Sequence, residues 1–405
     1  MTSPLDTLLG MSPTKLLSLP MAEQFPGLRP DAHRFDGPGG TLVHTVVGRA
    51  VAAYLGSEHV ANDHGAFRAS AFSDELVAWA ADRVRALLGA PAGHVLFASN
   101  MTTLTTMFVR ALEPGIRPGD EIVCTELDHE ANVAPWHALA ARTGARIRTA
   151  RIGADGTLPA SAVTELIGPR TRWVAVTAAS NALGSMPNLP QICATAHAAG
   201  AQVFADGVQA VAHTRVDLPA WGCDAFVTSA YKWYGPHCGV LWTTGATASA
   251  LRLAEQVPSA DDDLPGRLQL GTTDFEAVLG TGAAAEALLG WDRKEIFERE
   301  RKLTDLLITR LEELPGCRIL GPTTSTERVP VVSFQLRGRA PADVARHLAD
   351  SGVAVWHGSF YASGTLRAVA PEDPQAVRAG ITCYSTEKDV HALVKALGEL
   401  TGEPA

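Results

Sequence analysis

No uninterrupted apolar stretch in this 405-residue chain reaches bilayer-spanning length. Long runs of Lys or Arg are also missing, and the net charge is −9. Nucleic acid and anionic membrane surfaces are therefore not expected partners. Cysteine is sparse and scattered: Cys124, Cys193, Cys223, Cys238, Cys317 and Cys383 form no Cys-x-x-Cys pair. Such spacing points to neither a metal site nor a disulfide framework. The opening Met1-Thr-Ser-Pro-Leu-Asp6 lacks the basic and apolar segments of a secretion signal. A cytoplasmic, reduced setting is expected. The chain shows no internal repeat and no low-complexity segment.

What is present has the balance of a soluble enzyme, with 46% hydrophobic and 19% charged residues. The length suits a large α/β domain with a smaller companion. Residues 1–35 read as an N-terminal arm packing on the small domain, 36–290 as the large domain and 291–405 as the small α+β C-terminal domain. Short apolar strands are predicted at Val95-Leu-Phe97, Glu121–Thr125, Trp173–Thr177, Gln202–Asp206 and Asp224–Ser229. Between two of them, Gln191–Gly200 is Ala-rich and closed by glycine, which predicts a capped helix. Strand–helix alternation with apolar strands predicts a mainly parallel sheet covered on both faces. A charged helix over roughly Arg293–Leu314 leads to the C-terminal unit. There Val329–Leu336 and Val353–Trp356 read as strands, and 341–350 and 387–400 as helices.

Ligands in such sheets collect at the carboxyl ends of the strands. Polar groups at 99–103, 125–132, 178–185, 206–209 and 228–232 all follow predicted strands and are expected to share one crevice. Lys232 lies in Thr228-Ser-Ala-Tyr-Lys-Trp-Tyr-Gly-Pro236, after a strand and before a turn. Alone it reads as a snorkelling surface lysine. In a desolvated pocket it would be a nucleophilic amine suited to a Schiff base. Asp206 ends its strand and alone would merely cap a turn. With Lys232 downstream, it suits the ring nitrogen of pyridoxal 5′-phosphate (PLP), keeping the ring protonated as an electron sink. Gln209 is placed to donate to the cofactor's phenolate oxygen. Ser99–Thr106 joins a strand to a helix, a simple N-cap or a phosphate site. His129 follows a strand, where its ring can stack on a flat cofactor. Phe35-Asp-Gly-Pro-Gly-Gly-Thr41 lets backbone approach a ligand closely but lacks the Lys and helix of a P-loop.

Taken together, Ser229-Ala-Tyr-Lys-Trp-Tyr-Gly-Pro236, Ala205-Asp-Gly-Val-Gln-Ala210, Ser180-Asn-Ala-Leu-Gly-Ser185 and Asp128-His-Glu-Ala-Asn-Val-Ala-Pro-Trp136 resemble the class V aminotransferase family. The likeness spans roughly residues 30–400 and is nearest to the cysteine desulfurase-like branch with its SufS-type members. It implies an α/β PLP-dependent transferase fold of type I, with a mainly parallel seven-stranded sheet, and a homodimer with shared active sites. It implies Lys232 as the Schiff-base lysine, Asp206 as the pyridinium partner, and Gln209 and Asn181 near the phenolate oxygen. His129 is implied as the stacking ring. Met101, Thr102, Thr103, Ser229 and Tyr231 fall on the cofactor side, with Tyr231 replacing the usual His. Thr272 is implied to reach the phosphate of the neighbouring subunit. Arg378 is implied to grip the substrate carboxylate, a task that suits a guanidinium fork.

The pattern also breaks. Desulfurases carry a reactive cysteine in a loop of the small domain, whereas here Gly352-Val-Ala-Val-Trp-His-Gly-Ser-Phe-Tyr-Ala362 places Tyr361 at the aligned position. Desulfuration needs a thiolate to take up sulfur, and a phenol, ordinarily of pKa about 10, is no substitute. A persulfide-forming desulfurase is therefore not expected. Trp356 stands where those enzymes often have arginine. Asn62, His64 and Arg68 read as the substrate mouth contributed by the adjacent subunit, or as an ordinary polar loop. The favoured expectation is a lyase cleaving the C–S bond of an S-substituted cysteine. Tyr361 would donate a proton to the leaving group or shape the pocket. Transamination, epimerisation, decarboxylation and a non-catalytic PLP-binding relative are the alternatives.

Overall fold

The computed structural model describes residues 3–10, 12–255, 264, 267–268 and 270–402. After a short strand β1 (His33–Arg34) come helices Thr45–Leu55 and Arg68–Leu87. Seven strands then form the main sheet: β2 (His94–Ala98), β3 (Glu121–Thr125), β4 (Arg146–Ala150), β5 (Thr171–Thr177), β6 (Gln202–Asp206), β7 (Ala225–Ser229) and β8 (Gly239–Thr243). Their spatial order is β2-β8-β7-β6-β5-β3-β4. Strands β3 to β7 pair in parallel, and β8 alone runs antiparallel to its neighbours β7 and β2. Because β8 opposes both, β2 points the same way as the parallel five. Six carboxyl ends therefore share one edge of the sheet, the usual place for a ligand.

The sheet interior follows from its sequence. Val203-Phe-Ala205 and Ala225–Thr228 are buried throughout, as strands covered on both faces must be. Helix Leu189–Ala198 occupies the segment expected to be helical, and Gly200 takes a left-handed φ of 79° beyond its end. Strand β4 went unread because Arg146-Ile-Arg-Thr-Ala150 is a largely exposed edge strand carrying two arginines.

Helix Arg293–Glu313 leads into a C-terminal unit of β9 (Cys317–Leu320), β10 (Val331–Leu336), β11 (Val353–Ala354), β12 (Trp356–Gly358) and β13 (Ala376–Gly380). Four of these form an antiparallel sheet, β12-β13-β10-β9. Helices Pro341–Asp350 and Glu387–Thr401 fall where expected. The segment Val353–Trp356 departs from expectation, because its two ends serve different sheets. β11 pairs in parallel with β1, and β12 joins β13.

The expected packing of the arm is corrected. Helix Pro4–Leu9 lies against Thr45–Leu55 and Arg68–Leu87, and Thr14–Leu17 lies against helix Phe275–Gly290. Leu5, Leu16 and Phe25 bury there, in the core of the main-sheet unit. Phe25 meets Tyr234 and Tyr384 edge-on. The arm reaches the C-terminal unit through Phe25 against Tyr384 and through the pairing of His33–Arg34 with β11. Among the described residues, no helix is long and apolar enough to cross a membrane.

Candidate active site

At the shared edge of the sheet lies a cavity of about 920 Å³. Its deep wall comes from the ends of β5, β6 and β7, and its outer wall from β12 and the following loop, with Arg378 of β13. The polar segments expected to share a crevice do meet here. Met101, Thr102, His129, Asn181, Asp206, Gln209, Tyr231, Lys232, Trp356, Tyr361 and Arg378 all line the cavity.

Lys232 closes the single helical turn Ala230–Lys232 that follows β7. Its Nζ donates to the carbonyl oxygens of Pro38 and, at 3.0 Å, Gly39. Burial lowers its pKa from 10.5 to about 7; nearby Arg378 adds to the fall, and Asp206 opposes it. The glycine-rich stretch read as a place of close approach thus cradles the lysine. Gly39 has no room for a side chain, since a Cβ there would lie 2.0 Å from Trp356 Nε1. Gln209 Nε2 donates to the same Pro38 carbonyl at 2.9 Å.

Asp206 is 3% exposed. One of its oxygens accepts from the Val208 N–H at 2.9 Å. Burial raises its pKa to about 6, against the Val208 hydrogen bond and the pull of Lys232. A buried carboxylate that resists ionisation is well served by a protonated ring nitrogen. His129 Nδ1 accepts from the Ala131 N–H at 3.0 Å. Burial, helped by Lys232, drives its pKa down to about 4, so near neutral pH the ring is uncharged and carries its proton on Nε2.

Arg378 is 5% exposed, and no carboxylate pairs with it among the described residues, which removes the surface ion-pair reading. Its Nη1 donates to the Asn181 carbonyl at 2.8 Å. Its guanidinium carbon stands 4.4 Å from the Phe360 ring centroid. Burial lowers its pKa to about 9. Asn181 Nδ2 donates to the Phe360 carbonyl at 2.8 Å. Arg378 Nε and Asn181 Oδ1 are buried with no partner. Buried polar groups left open in this way mark a place for a ligand, here one with an acceptor for the guanidinium and a donor for the amide.

Other expected residues stand apart. Ser229 is fully buried, and its hydroxyl accepts from the Met101 N–H at 2.9 Å. Thr103 is exposed and is held by the Asn100 cap of helix Met101–Ala111. Neither lines the cavity; Thr102 does. The cap is Asn100 rather than a Ser or Thr. Tyr231 stacks on His237, with centroids 4.8 Å apart. Thr272, His64 and Arg68 are exposed and lie outside this cavity. His64 lies near Asp63 and Asp74, and Arg68 faces Glu58 at 3.9 Å.

Sequence reasoning missed Phe360, Glu130 and Thr177, which also line the cavity. Phe360 and Tyr361 both adopt left-handed φ values, 58° and 53°. Nothing in their composition signals this, because glycine is the usual marker of that conformation. Glu130 stood beside His129 in a motif that was read for its histidine alone.

No cysteine lines the cavity. Five of the six are buried, and Cys317 is half-buried. Burial raises the pKa of Cys193, Cys238 and Cys317 to about 12, and pushes Cys124, Cys223 and Cys383 up as well.

A buried amine, a buried carboxylate, a neutral imidazole and a helix N-terminus around one cavity define a PLP-dependent enzyme. The open Arg378 and Asn181 atoms fit the cofactor and an amino-acid carboxylate beside it. The aminotransferase class V family model matches residues 33–393, and the chain belongs to that family. A probable cysteine desulfurase of Pseudomonas putida is 32% identical over 83% of this chain and 84% of its own length. A cysteine desulfurase of Cronobacter sakazakii is 34% identical over 70% of this chain and 71% of its own. The crystal structure of the cysteine desulfurase CsdA (S-sulfonic acid) of Escherichia coli is similar, with TM-score 0.84 and 26% identity over 96% of this chain and 98% of that one. The fold also matches an apo cysteine desulfurase of Thermococcus onnurineus, with TM-score 0.86 and 24% identity over 92% of this chain and 95% of that one. The protein is a PLP-dependent lyase or transferase of the desulfurase-like kind.

Proposed function

We propose that this enzyme is a C–S lyase acting on an S-substituted cysteine, and that it forms no persulfide. The observation that carries this reading is a cavity holding Lys232, Asp206 and Arg378 with no cysteine in its lining. The overall reaction converts the substrate and one water into a thiol, pyruvate and ammonium. PLP, when bound, supplies an electron sink for the charge left at the substrate Cα.

The residues divide the remaining work. Lys232 would anchor the cofactor covalently, and its free amine is suited to be the base that takes the Cα proton. A pKa near 7 leaves much of it neutral and ready to do so. Asp206 would hold the cofactor's ring nitrogen, His129 would cover the ring, and Thr102 with the N-terminus of helix Met101–Ala111 would take the phosphate. Arg378 binds the α-carboxylate through its Nε edge, because Nη1 is engaged by Asn181 and one face by Phe360. Tyr361 borders the mouth of the cavity, where its hydroxyl is suited to give a proton to the departing thiolate.

The same proposal includes a homodimer in which Thr272, His64 and Arg68 act at the partner's cavity, a cytoplasmic setting, and the division into arm, large and small domains at residues 35 and 290. Incubation of PLP-loaded protein with S-substituted cysteines tests the reaction. Pyruvate and free thiol should appear without any keto-acid acceptor. A strict need for a keto-acid would establish transamination instead.

A further inference from the structure

One carboxylate in the cavity lining has no part in the reaction described above. Glu130 opens the single turn Glu130–Asn132 beside His129 and is exposed at the cavity mouth. Its N–H donates to the Tyr361 carbonyl at 2.7 Å, and its side chain accepts from the Ser363 hydroxyl. It is thereby tied to the loop that follows β12. No Lys, Arg or His forms an ion pair with it among the described residues. Two large rings are open at the same mouth: Tyr361 is 70% exposed and Trp356 50%. The third, Phe360, already has its face against Arg378.

The proposed function determines which part of the substrate reaches this place. With the substrate carboxylate at Arg378 and its amino group near Lys232, as in the proposed function, the sulfur substituent is left to run outward to the mouth. There it meets an unpaired carboxylate in a lining that also exposes two aromatic rings. Such a setting attracts a cation through charge and through the ring quadrupoles. The cavity's own cations are already answered in the proposed function, Lys232 on the deep wall by the cofactor and the buried Arg378 of the outer wall by the substrate carboxylate.

We propose that Glu130, with the rings of Tyr361 and Trp356, selects S-substituted cysteines whose sulfur substituent ends in a positive charge, such as an ammonium or guanidinium group. This rests on the C–S lyase reading.

The test compares S-(2-aminoethyl)-L-cysteine with S-propyl-L-cysteine, which have the same shape and differ in charge. Thiol release and calorimetric binding are measured on the PLP-loaded enzyme and on Glu130→Gln, which can still accept from Ser363. The wild type should favour the aminoethyl compound roughly 10-fold in kcat/KM and in Kd. That ratio should fall to near unity in Glu130→Gln. Equal handling of both compounds by the wild type, binding of neither, or an intact preference in Glu130→Gln would overturn the proposal. Thiol released equally from both compounds sinks the charge selection and leaves the lyase reading standing. A binding preference with no thiol from either sinks the lyase reading alone.

Discussion

The guanidinium of Arg378 is sandwiched by its own protein: its central carbon sits 4.4 Å from the Phe360 ring, and its Nη1 donates to the Asn181 carbonyl. Only the edge bearing Nε is left without a partner. In its proposed role as carboxylate clamp the side chain is thus aimed before substrate arrives, which reduces the ordering cost of binding. Arg378→Lys keeps the charge but loses the fork, and should raise KM roughly 10- to 100-fold with a smaller change in kcat. Phe360→Ala should raise KM in the same sense but less. Steady-state kinetics on both variants check this; a fall in kcat alone would contradict it.

In the proposed mechanism Lys232 sets the pH dependence. Burial and the positive Arg378 favour the neutral amine, Asp206 favours the ammonium, and the outcome is a pKa of about 7. The base is the neutral form, so activity is lost below that value and kcat should rise with pH through an inflection near 7. Removing the positive neighbour in Arg378→Ala should move the inflection upward. A profile flat from pH 6 to 8 would contradict this assignment.

The covalent anchor is checked separately from turnover. Borohydride treatment should fix PLP to the wild-type chain, with the added mass on the peptide containing Lys232. In Lys232→Ala no mass should be added and the visible band near the aldehyde–amine absorbance should be lost. Attachment at another lysine would overturn the anchor.

Much of this site was legible because its residues follow sharply bounded strands. β6 runs from Gln202 to Asp206 as read, since Val203-Phe-Ala205 is apolar between two polar ends. Lys232 and Asp206 gained meaning from their order along the chain. Contacts across distant sequence were not legible: nothing local joins Lys232 to Pro38 and Gly39, almost two hundred residues away. The backbone of Phe360 and Tyr361 was hidden because they are the left-handed central pair of a tight turn, closed by the Ala362 N–H to the Ser359 carbonyl at 2.9 Å, that carries no glycine or asparagine at those positions. The buried Ser229 hydroxyl shows the converse. Its place in the motif was read as facing the cofactor, and what the fold adds is that its oxygen accepts from the Met101 N–H.

The cysteines supply a prediction against persulfide chemistry. All six lie outside the cavity lining, and burial holds their thiols in the unreactive protonated form. A thiol reagent at pH 7.5 should label the native protein slowly, with Cys317 first because it is the only one not fully buried. All six should react once the chain is unfolded. After incubation with cysteine, mass spectrometry should find no sulfur added to the protein; a gain of one sulfur atom would contradict the proposed function.

Gly239 ties the sheet edge to the proposed phosphate site. It opens β8, paired with Ser229 of β7 and Ala98 of β2. A Cβ there would lie 2.3 Å from the Asn100 carbonyl carbon and 2.5 Å from its oxygen. These are backbone atoms, so no side chain can swing away to relieve the overlap. Asn100 caps helix Met101–Ala111, and the Met101 N–H is held by Ser229. Gly239→Ala must therefore push the helix N-terminus, with Thr102, away from the strand ends. Overpacking of this kind destabilises by roughly 1–3 kcal/mol, so Tm should fall, and the apoprotein should take up PLP more weakly. Gly115→Ala is the control, because a Cβ there meets nothing within 4 Å; it should stay within about 0.5 kcal/mol of wild type. Thermal melts and PLP titration by fluorescence read both effects. If Gly239→Ala binds PLP as the control does, the N-terminus of helix Met101–Ala111 is not the phosphate site.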